Sequence, residues 1–306
     1  MNRMPALAGV FTPITTPFTP DGSVDAPALR RNVARWMQTP LAGLVVLGSN
    51  GEAAQLDDAE ADHVVEVARA GVPVGRPFLV GTGRESTRAT VQANRRAAAA
   101  GADAVLVRTP AFFKAQMTGE ALERHYRDVA DASPVPVLLY NVTMFTGVTL
   151  PADSVARLAE HPNIVGMKES GGDMAYVAEC VTRTPPDFTM LAGSATTFFF
   201  ALAAGCRGGV LALASLFPHD CVRLQELVRL GAIDEARRLQ QRLTPIARSI
   251  GGTYGVAGLK AALDLLGYDG GPPRPPLRPA APHVVDLLRV QLHALDALAP
   301  VSSTAV

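Results

Sequence analysis

The chain has 306 residues, of which 48% are apolar, and its 28 basic side chains balance 28 acidic ones. The apolar content is sufficient for a large core, which excludes a disordered chain. A formal net charge of zero argues against a nucleic-acid-binding protein or a protein that binds membranes through a basic patch.

Short apolar segments recur along the chain, and most show no polar alternation, which is typical of strands buried on both faces. In chain order the predicted strands are 9–15, 43–47, 78–81, 104–107, 135–140, 164–167, 188–192 and 209–213. Helical patterns between them predict helices over 57–70, 86–100, 119–132 and 151–160. Eight βα units in about 210 residues favour a closed (β/α)8 TIM barrel over an open doubly wound sheet.

The remaining C-terminal part shows helical patterns and no strand pattern. Helices are predicted over 220–230, 233–250, 256–266 and 283–298, with a Gly/Pro-rich connection at 270–279. We therefore expect residues 1–218 to form the catalytic barrel and residues 219–306 to form a helical extension packed on it.

Cysteine usage and the apolar segments bear on the compartment. The three cysteines form no C-x-x-C pair and the histidines are scattered, so neither a disulfide framework nor a metal site is expected. The N-terminus lacks the apolar core of a signal peptide, and polar residues interrupt the most apolar stretch, 191–218. These features predict a cytoplasmic protein without a membrane span.

Familiar nucleotide-binding and hydrolase signatures are missing. The glycine pattern that starts at Gly81 is incomplete, and the sequence contains neither a Walker A motif nor G-x-S-x-G. Hydride transfer, phosphoryl transfer and α/β-hydrolase chemistry therefore have no support from motifs.

Lysine is scarce, since 25 of the 28 basic residues are arginine and the lysines are Lys114, Lys168 and Lys260. Codon bias explains the excess of arginine, but a retained lysine marks a position where an amine could be needed. Lys168 ends a predicted strand, where a barrel places its chemistry. Burial disfavours an ammonium ion, and a free amine attacks carbonyls to form a Schiff base. The alternative is a lysine whose ammonium group reaches solvent or a carboxylate.

Two other predicted strands end in candidate site residues. Tyr140 is either a core aromatic or, beside an imine-forming lysine, a general acid/base. Ser49 and Asn50 lie in a glycine-flanked turn whose backbone amides could hold a carboxylate, although such turns are common without that role.

Four motifs together resemble the dihydrodipicolinate synthase/N-acetylneuraminate lyase family of pyruvate-dependent (β/α)8 barrels. They are GSNGE at 48–52, TPAFF at 109–113, YN at 140–141 and GMKES at 166–170. The resemblance runs in register from about residue 9 to residue 277. Within the family, segments 161–173, 191–195 and 258–277 are most similar to the 4-hydroxy-2-oxoglutarate aldolase branch.

The resemblance implies a role for each matching residue. Lys168 would form the imine with a 2-oxo acid, and Tyr140 would shuttle protons with the Ser49 hydroxyl in its relay. The amides of Ser49 and Asn50 would hold the carboxylate of the 2-oxo acid. Substrate contacts are further implied for Ser170, Gly193 and Leu211. The resemblance implies pyruvate and an aldehyde as reactants, no metal or organic cofactor, and a homotetramer built as a dimer of dimers.

Two departures from the family pattern mark specificity positions. Phe112 and Phe113 replace a Tyr-Tyr pair, one member of which extends the relay into a neighbouring subunit. Phe145 stands where the synthases carry an arginine for the carboxylate of the second substrate, so charge-assisted bonds are lost there. This favours an aldehyde that is less charged, or larger and apolar.

The leading hypothesis is therefore a Schiff-base aldolase or lyase that resembles 4-hydroxy-2-oxoglutarate aldolase. The enzymatic alternatives are 4-hydroxy-tetrahydrodipicolinate synthase, also called dihydrodipicolinate synthase, and a family member acting on a sugar acid or on an apolar or aromatic aldehyde. A non-enzyme alternative is a barrel that binds a 2-oxo acid with impaired turnover.

Overall fold

Eight parallel strands close into a barrel in the computed structural model, which describes residues 7–298. The strands are β1 (Gly9–Pro13), β2 (Gly43–Val46), β3 (Phe78–Gly81), β4 (Ala104–Arg108), β5 (Val137–Asn141), β6 (Ile164–Glu169), β7 (Thr189–Ala192) and β8 (Gly208–Val210). β8 pairs with β1, which leaves no free sheet edge. The predicted (β/α)8 barrel with a helical extension is thus confirmed.

Helices surround the barrel and continue past it. They are α1 (Ala26–Trp36), α2 (Asp58–Arg69), α3 (Thr87–Ala99), α4 (Gly119–Ala132), α5 (Thr143–Thr146), α6 (Ala152–Ala159), α7 (Met174–Arg183), α8 (Phe198–Ala203), α9 (Pro218–Arg229), α10 (Ile233–Arg248), α11 (Gly255–Leu265) and α12 (Pro282–His293). A π-helical turn, Ser249–Thr253, joins α10 to α11. Within residues 7–298, no helix has the length and apolar character needed to cross a membrane.

Alternating strand residues build two separate apolar layers, as the period of two in a strand requires. Side chains such as Phe11, Leu79, Leu138 and Leu191 fill the barrel interior. The opposite faces of the strands pack against the helices in a larger cluster that includes Trp36. Both faces of the sheet are therefore buried, which accounts for strand sequences without polar alternation.

Close backbone approach explains a glycine at the barrel's closing seam. A Cβ atom on Gly208 would lie 1.9 Å from the carbonyl oxygen of Gly9 on the neighbouring strand. Any larger residue would push β8 away from β1, so glycine is required where the barrel closes.

The C-terminal helices pack on the barrel in sequence. α9 follows β8 and contacts β1 and α8, and α10 packs on α9. The boundary at residue 218 stays a prediction, as do the outer ends of both proposed parts, because residues 1–6 and 299–306 lie outside the described residues. Residues 1–6 also include the start of the N-terminal segment that is expected to lack a signal peptide, and this expectation stays a prediction. Cys180, Cys206 and Cys221 are buried free thiols, and burial raises the pKa of each.

Candidate active site

A cavity of about 880 Å³ opens at the C-terminal ends of β2 to β5. Residues from the strand ends and from the extension line it: Leu47, Gly48, Ser49, Glu52, Ala53, Ala54, Gln55, Leu56, Gly81, Gly83, Arg84, Glu85, Leu106, Arg108, Ala111, Tyr140, Val142, Phe145, Thr146, Tyr254, Gly255, Val256, Ala257, Leu277 and Arg278. The site therefore lies on the face where barrel enzymes carry their chemistry, and the extension forms one wall of it.

Lys168 and Tyr140 are neighbours across the β5–β6 pair, where their Cα atoms are register partners. Both side chains are buried, with exposures of 4% and 6%. The Lys168 Nζ lies 4.3 Å from the centroid of the Tyr140 ring. Tyr140 lines the cavity, and Lys168 adjoins the cavity wall through this ring contact. The register of the sheet thus places the predicted amine and the predicted acid/base side by side.

Ser49 joins this pair from the turn after β2. Its hydroxyl lies 3.3 Å from the Tyr140 hydroxyl, and the 3₁₀ turn Ser49–Gly51 begins at this residue. The amides that begin such a turn have no acceptor within it. Leu47 and Glu52, on either side of the turn, have left-handed φ angles of 56° and 55°. Such angles cost a non-glycine residue about 1–2 kcal/mol, so surrounding contacts must hold this turn in place.

Three further predicted positions lie near the ends of β6, β7 and β8. The Gly193 amide donates to the Glu169 carbonyl at 2.6 Å, and the Ser170 amide donates to the Asn141 carbonyl at 3.0 Å. A Cβ atom on Gly193 would lie 1.9 Å from the Ser170 Oγ, so Ser170 and Gly193 are in direct contact. Leu211 is fully buried in the cluster between strands and helices, so the structure does not bring its side chain to the site.

The two predicted specificity residues have different surroundings. Phe145 is 61% exposed and lines the cavity. Phe113 is 67% exposed and packs edge-on against Phe112, with ring centroids 5.0 Å apart, away from the cavity lining. A contact between Phe113 and a neighbouring subunit stays a prediction.

A buried carboxyl group follows the lysine on β6. Glu169 accepts hydrogen bonds from the Asn141 side-chain amide at 2.6 Å and from the Gly171 backbone amide. Burial raises the pKa of Glu169, while these hydrogen bonds oppose the rise. The Asn141 Oδ1 accepts a bond from the Leu150 amide at 3.1 Å, which ties β5 to the chain leading into α6. These bonds fix the backbone that follows Lys168 and link it to the end of β5. Within residues 7–298, no three histidine, cysteine or acidic side chains form a group able to hold a metal ion.

Sequence reasoning missed a charged pair in the cavity wall. Arg108 ends β4, and its Nη1 lies 2.8 Å from the Glu85 Oε1. The Glu85 Oε2 accepts bonds from the Ala111 and Phe112 amides, each at 2.8 Å. Burial favours a higher pKa for Glu85, but these hydrogen bonds and Arg108 outweigh it and lower the pKa. Arg108 directly follows the apolar run 104–107, so its position at a strand end was a readable signal.

A second buried charge network joins the extension to the turn after β2. The Lys260 Nζ lies 2.6 Å from the Glu52 Oε1, and both side chains are 1% exposed. Burial lowers the pKa of Lys260, while Glu52 opposes that shift. The Glu52 Oε2 accepts a bond from the Arg274 amide at 2.9 Å. Lys260 thus serves the structure, and it lies in a helix, α11, as the predicted helix 256–266 indicated.

Comparison with known proteins gives one family. The family model described as the dihydrodipicolinate synthetase family matches residues 6–295. A probable mitochondrial 4-hydroxy-2-oxoglutarate aldolase of Emericella nidulans is 35% identical over 287 residues, covering 92% of this chain and 93% of that protein. A 4-hydroxy-tetrahydrodipicolinate synthase of Methanothrix thermoacetophila is 38% identical over 272 residues, covering 89% of this chain and 91% of that protein.

Solved structures agree with this assignment. YagE, a prophage protein of the dihydrodipicolinic acid synthase family from E. coli K12 in complex with pyruvate, is similar with a TM-score of 0.90 and 29% identity. The match covers 96% of this chain and 100% of that one. The matched relatives carry both aldolase and synthase names, so they share a reaction class rather than one substrate. The chain therefore belongs to the dihydrodipicolinate synthetase family and is a lyase of its class I aldolase type.

Proposed function

We propose that the protein is a Schiff-base aldolase that cleaves or forms a 2-oxo acid with pyruvate as one component, as a 4-hydroxy-2-oxoglutarate aldolase would. The observation that carries the proposal is the contact of Tyr140 with both Lys168 and Ser49 beside the cavity. The pyruvate complex of a relative and the aldolase name of another support it.

Imine formation begins when the Lys168 amine attacks the keto carbon of the substrate. The nitrogen loses one proton as the alkoxide oxygen gains one, which gives the carbinolamine. The carbinolamine hydroxyl then takes up a second proton and leaves as water, while the nitrogen lone pair forms the protonated imine. Tyr140 is placed to carry these protons, with the Ser49 hydroxyl as its partner at 3.3 Å. The amides of Ser49 and Asn50 receive the substrate carboxylate, which fixes the keto carbon next to the amine.

Bond cleavage follows from the positive charge of the protonated imine. The C–C bond pair moves toward the imine nitrogen to give an enamine, while the hydroxyl on the departing carbon loses its proton and becomes the aldehyde. The enamine carbon then takes a proton, and water hydrolyses the imine to release pyruvate and restore Lys168. Ser170, in contact with Gly193, is the proposed contact for the aldehyde part.

The second candidate is 4-hydroxy-tetrahydrodipicolinate synthase, which uses the same imine. The 38% identity to a relative with that name favours it, and Phe145 at the position of the expected arginine disfavours it. A sugar acid or an aromatic aldehyde would be a further outcome of a substrate panel. The panel compares 4-hydroxy-2-oxoglutarate, aspartate semialdehyde, sugar acids and aromatic aldehydes as reactants.

Reductive trapping tests the proposal directly. Incubation with pyruvate and borohydride is expected to add one reduced pyruvate to the peptide that contains Lys168. The peptide of Lys114, an exposed lysine, is the internal control and stays unmodified. Lys168→Arg is expected to abolish both trapping and turnover. An unmodified Lys168 peptide in the wild type would overturn the imine mechanism, and turnover that depends on Lys168 would exclude the non-catalytic alternative.

We further propose a homotetramer and a cytoplasmic location. Phe112 and Phe113 are exposed by 79% and 67%, and such apolar surface favours association. Three buried free thiols are compatible with a reducing compartment. Sedimentation is expected to give the mass of four chains, and the mass of one chain would contradict the subunit contact of Phe113.

A further inference from the structure

The cavity wall carries more positive than negative charge. Three guanidinium groups line it, those of Arg84, Arg108 and Arg278, together with the carboxylates of Glu52 and Glu85. Lys260 neutralises Glu52 from outside the lining, at 2.6 Å. Asp58, also outside the lining, pairs with Arg84 at 3.1 Å, and Glu85 pairs with Arg108 at 2.8 Å. One positive charge therefore remains in excess at the cavity, where it favours an anionic ligand.

Arg108 is the guanidinium whose backbone lies in the layer of the proposed catalytic residues. Its Cα is the register partner of Tyr140, and Tyr140 is the register partner of Lys168. Register partners in a parallel sheet point to the same face, and neighbouring strands lie about 4.8 Å apart. Arg108 thus starts two strands from the Lys168 amine, on the inner side of the barrel mouth. A separation of two strands between Arg108 and Lys168 suits a substrate that extends a few bonds from the imine carbon towards Arg108.

Space for the Arg108 side chain comes from the neighbouring strand end. A Cβ atom on Gly83 would lie 2.7 Å from the Arg108 Cγ and 2.6 Å from its backbone nitrogen. Glycine at this position lets the arginine stem pass along the cavity wall, and the side chain remains 30% exposed.

The guanidinium is held in place but keeps donors for a ligand. Its Nη1 lies 2.8 Å from the Glu85 Oε1 and donates to the Thr109 carbonyl at 3.1 Å. Within residues 7–298, no hydrogen bond engages its Nη2 or Nε. Glu85 is anchored in turn by two backbone amides, so it orients Arg108 as a fixed partner. A pre-oriented fork with unused N–H groups is suited to a carboxylate.

We propose that Arg108 binds a carboxylate carried by the aldehyde component, so that the cleaved substrate is a 2-oxo acid with a second carboxylate. This inference rests on the proposed function and narrows its substrate class. Arg108, at the end of β4, would supply the positive charge that is missing after β5, where Phe145 stands in place of the arginine of the synthases. The charged aldehyde is thereby favoured over the less charged or apolar one suggested by Phe145 alone.

Paired aldehydes of similar size test the proposal in aldol addition to pyruvate. The pairs are glyoxylate with glycolaldehyde and succinic semialdehyde with butanal, and the wild type is expected to prefer the charged member. Arg108→Met is expected to lower kcat/KM for the charged aldehyde by about 10- to 100-fold, as loss of a charge-assisted bond requires, and to change the neutral one by less than about 2-fold. Arg108→Lys keeps the positive charge without the forked guanidinium. Its kcat/KM for the charged aldehyde is expected to lie between the values of the wild type and Arg108→Met.

Two matched substitutions separate a specific site from a general field. Arg278→Met removes a guanidinium from the same cavity, and Arg183→Met removes one from the distant α7 surface, where it pairs with Glu179. An equal loss in Arg278→Met and Arg108→Met would overturn the proposal, as would a wild type without preference for the charged member of either pair. Pyruvate trapping on Lys168 is read in every variant. Trapping without charge discrimination defeats this inference alone, whereas absence of trapping in the wild type defeats the proposed function.

Discussion

Lys168 and Lys260 are both buried, but their surroundings differ. Lys260 has a carboxylate at 2.6 Å and a carbonyl of Pro272 at 2.9 Å, so its donors are engaged in structure. Lys168 lies over an aromatic ring beside a cavity of about 880 Å³. Of these two buried amines, Lys168 is the one beside the cavity, which supports its proposed role as the imine-forming group.

Tyr140→Phe separates the proton shuttle from the packing of the ring. The phenyl ring preserves the contact with Lys168, while the hydroxyl that faces Ser49 is removed. We expect kcat to fall by about 10²- to 10⁴-fold, the usual contribution of a positioned acid/base, with an unchanged melting temperature. Steady-state kinetics on the best substrate of the panel and thermal unfolding provide the two measurements.

Tyr176→Phe is the matched control for Tyr140→Phe. Its hydroxyl donates to the Leu150 carbonyl at 2.6 Å outside the cavity lining, so its loss is expected to leave kcat unchanged. Ser49→Ala should reduce kcat less than Tyr140→Phe, because it removes only the hydroxyl, which acts through the tyrosine, and keeps the backbone amide. If Tyr140→Phe kept more than about one tenth of kcat, the shuttle role of Tyr140 would be wrong.

The positions of several candidate site residues could be predicted because each lies at or next to the end of a strand, and strand ends are visible in the sequence. Lys168 and Tyr140 needed no knowledge of distant contacts to be singled out. The pairing of Glu52 with Lys260 could not be foreseen, since it depends on how the extension folds back over the turn after β2. Leu211 was expected to contact the substrate. It lies next to β8, but its side chain packs in the cluster between the strands and the helices rather than in the site.

The turn after β2 is held by a clamp made of Glu52, Lys260 and Arg274. Glu52 bonds to both partners from a left-handed conformation, and Arg274 also pairs with Glu60 at 2.6 Å. The Phe18 ring lies 4.5 Å from the Lys260 Nζ and 4.4 Å from the Arg274 guanidinium carbon. The clamp therefore ties the extension to the turn that carries Ser49.

Lys260→Met tests the clamp, because it leaves the Glu52 carboxylate buried without its partner. Breaking one side of such a pair typically costs about 3–5 kcal/mol, whereas replacing both charges costs far less. We expect the single variant to lose stability in urea unfolding, and Glu52→Gln/Lys260→Met to recover most of it. Arg31→Met, which removes an exposed pair with Asp269, is the control and should cost about 1 kcal/mol or less. Equal losses in the single and the double variant would show that the pair does not act as a unit.

The strands were predicted to within a few residues because a sheet buried on both faces leaves an apolar signal in every strand. Helices were harder to predict, and no prediction covered α1, α5, α7 and α8. In α8 the residues Phe198–Ala203 are uniformly apolar, so their pattern cannot distinguish a buried helix from a buried strand. In α7 the cap at Asp173 was readable, since its carboxylate accepts bonds from two following amides.

Across the whole molecule, equal numbers of acidic and basic groups remove net repulsion near neutral pH. The pH dependence of stability then follows from individual buried groups. His125 on α4 is 6% exposed, and its Nδ1 lies 2.9 Å from the Thr87 hydroxyl. Within residues 7–298, its Nε2 has no hydrogen-bond partner. Burial lowers the pKa of His125 from 6.5 to about 4, although Asp128 and Glu85 oppose the shift.

The lowered pKa of His125 predicts that the fold weakens in mild acid. The unfolded chain takes up the proton near pH 6.5, whereas the folded protein resists it until about pH 4, so stability is lost as pH falls between these values. The difference corresponds to about 3 kcal/mol at the acid end, because one pKa unit is worth about 1.4 kcal/mol. Urea unfolding from pH 7.5 to pH 4.5 is expected to show this loss in the wild type and a flatter profile in His125→Phe, which keeps an aromatic ring that does not titrate. His63→Phe, at an exposed position on α2, is the control and should follow the wild type. Parallel profiles for the wild type and His125→Phe would mean that other groups govern the acid sensitivity of the barrel.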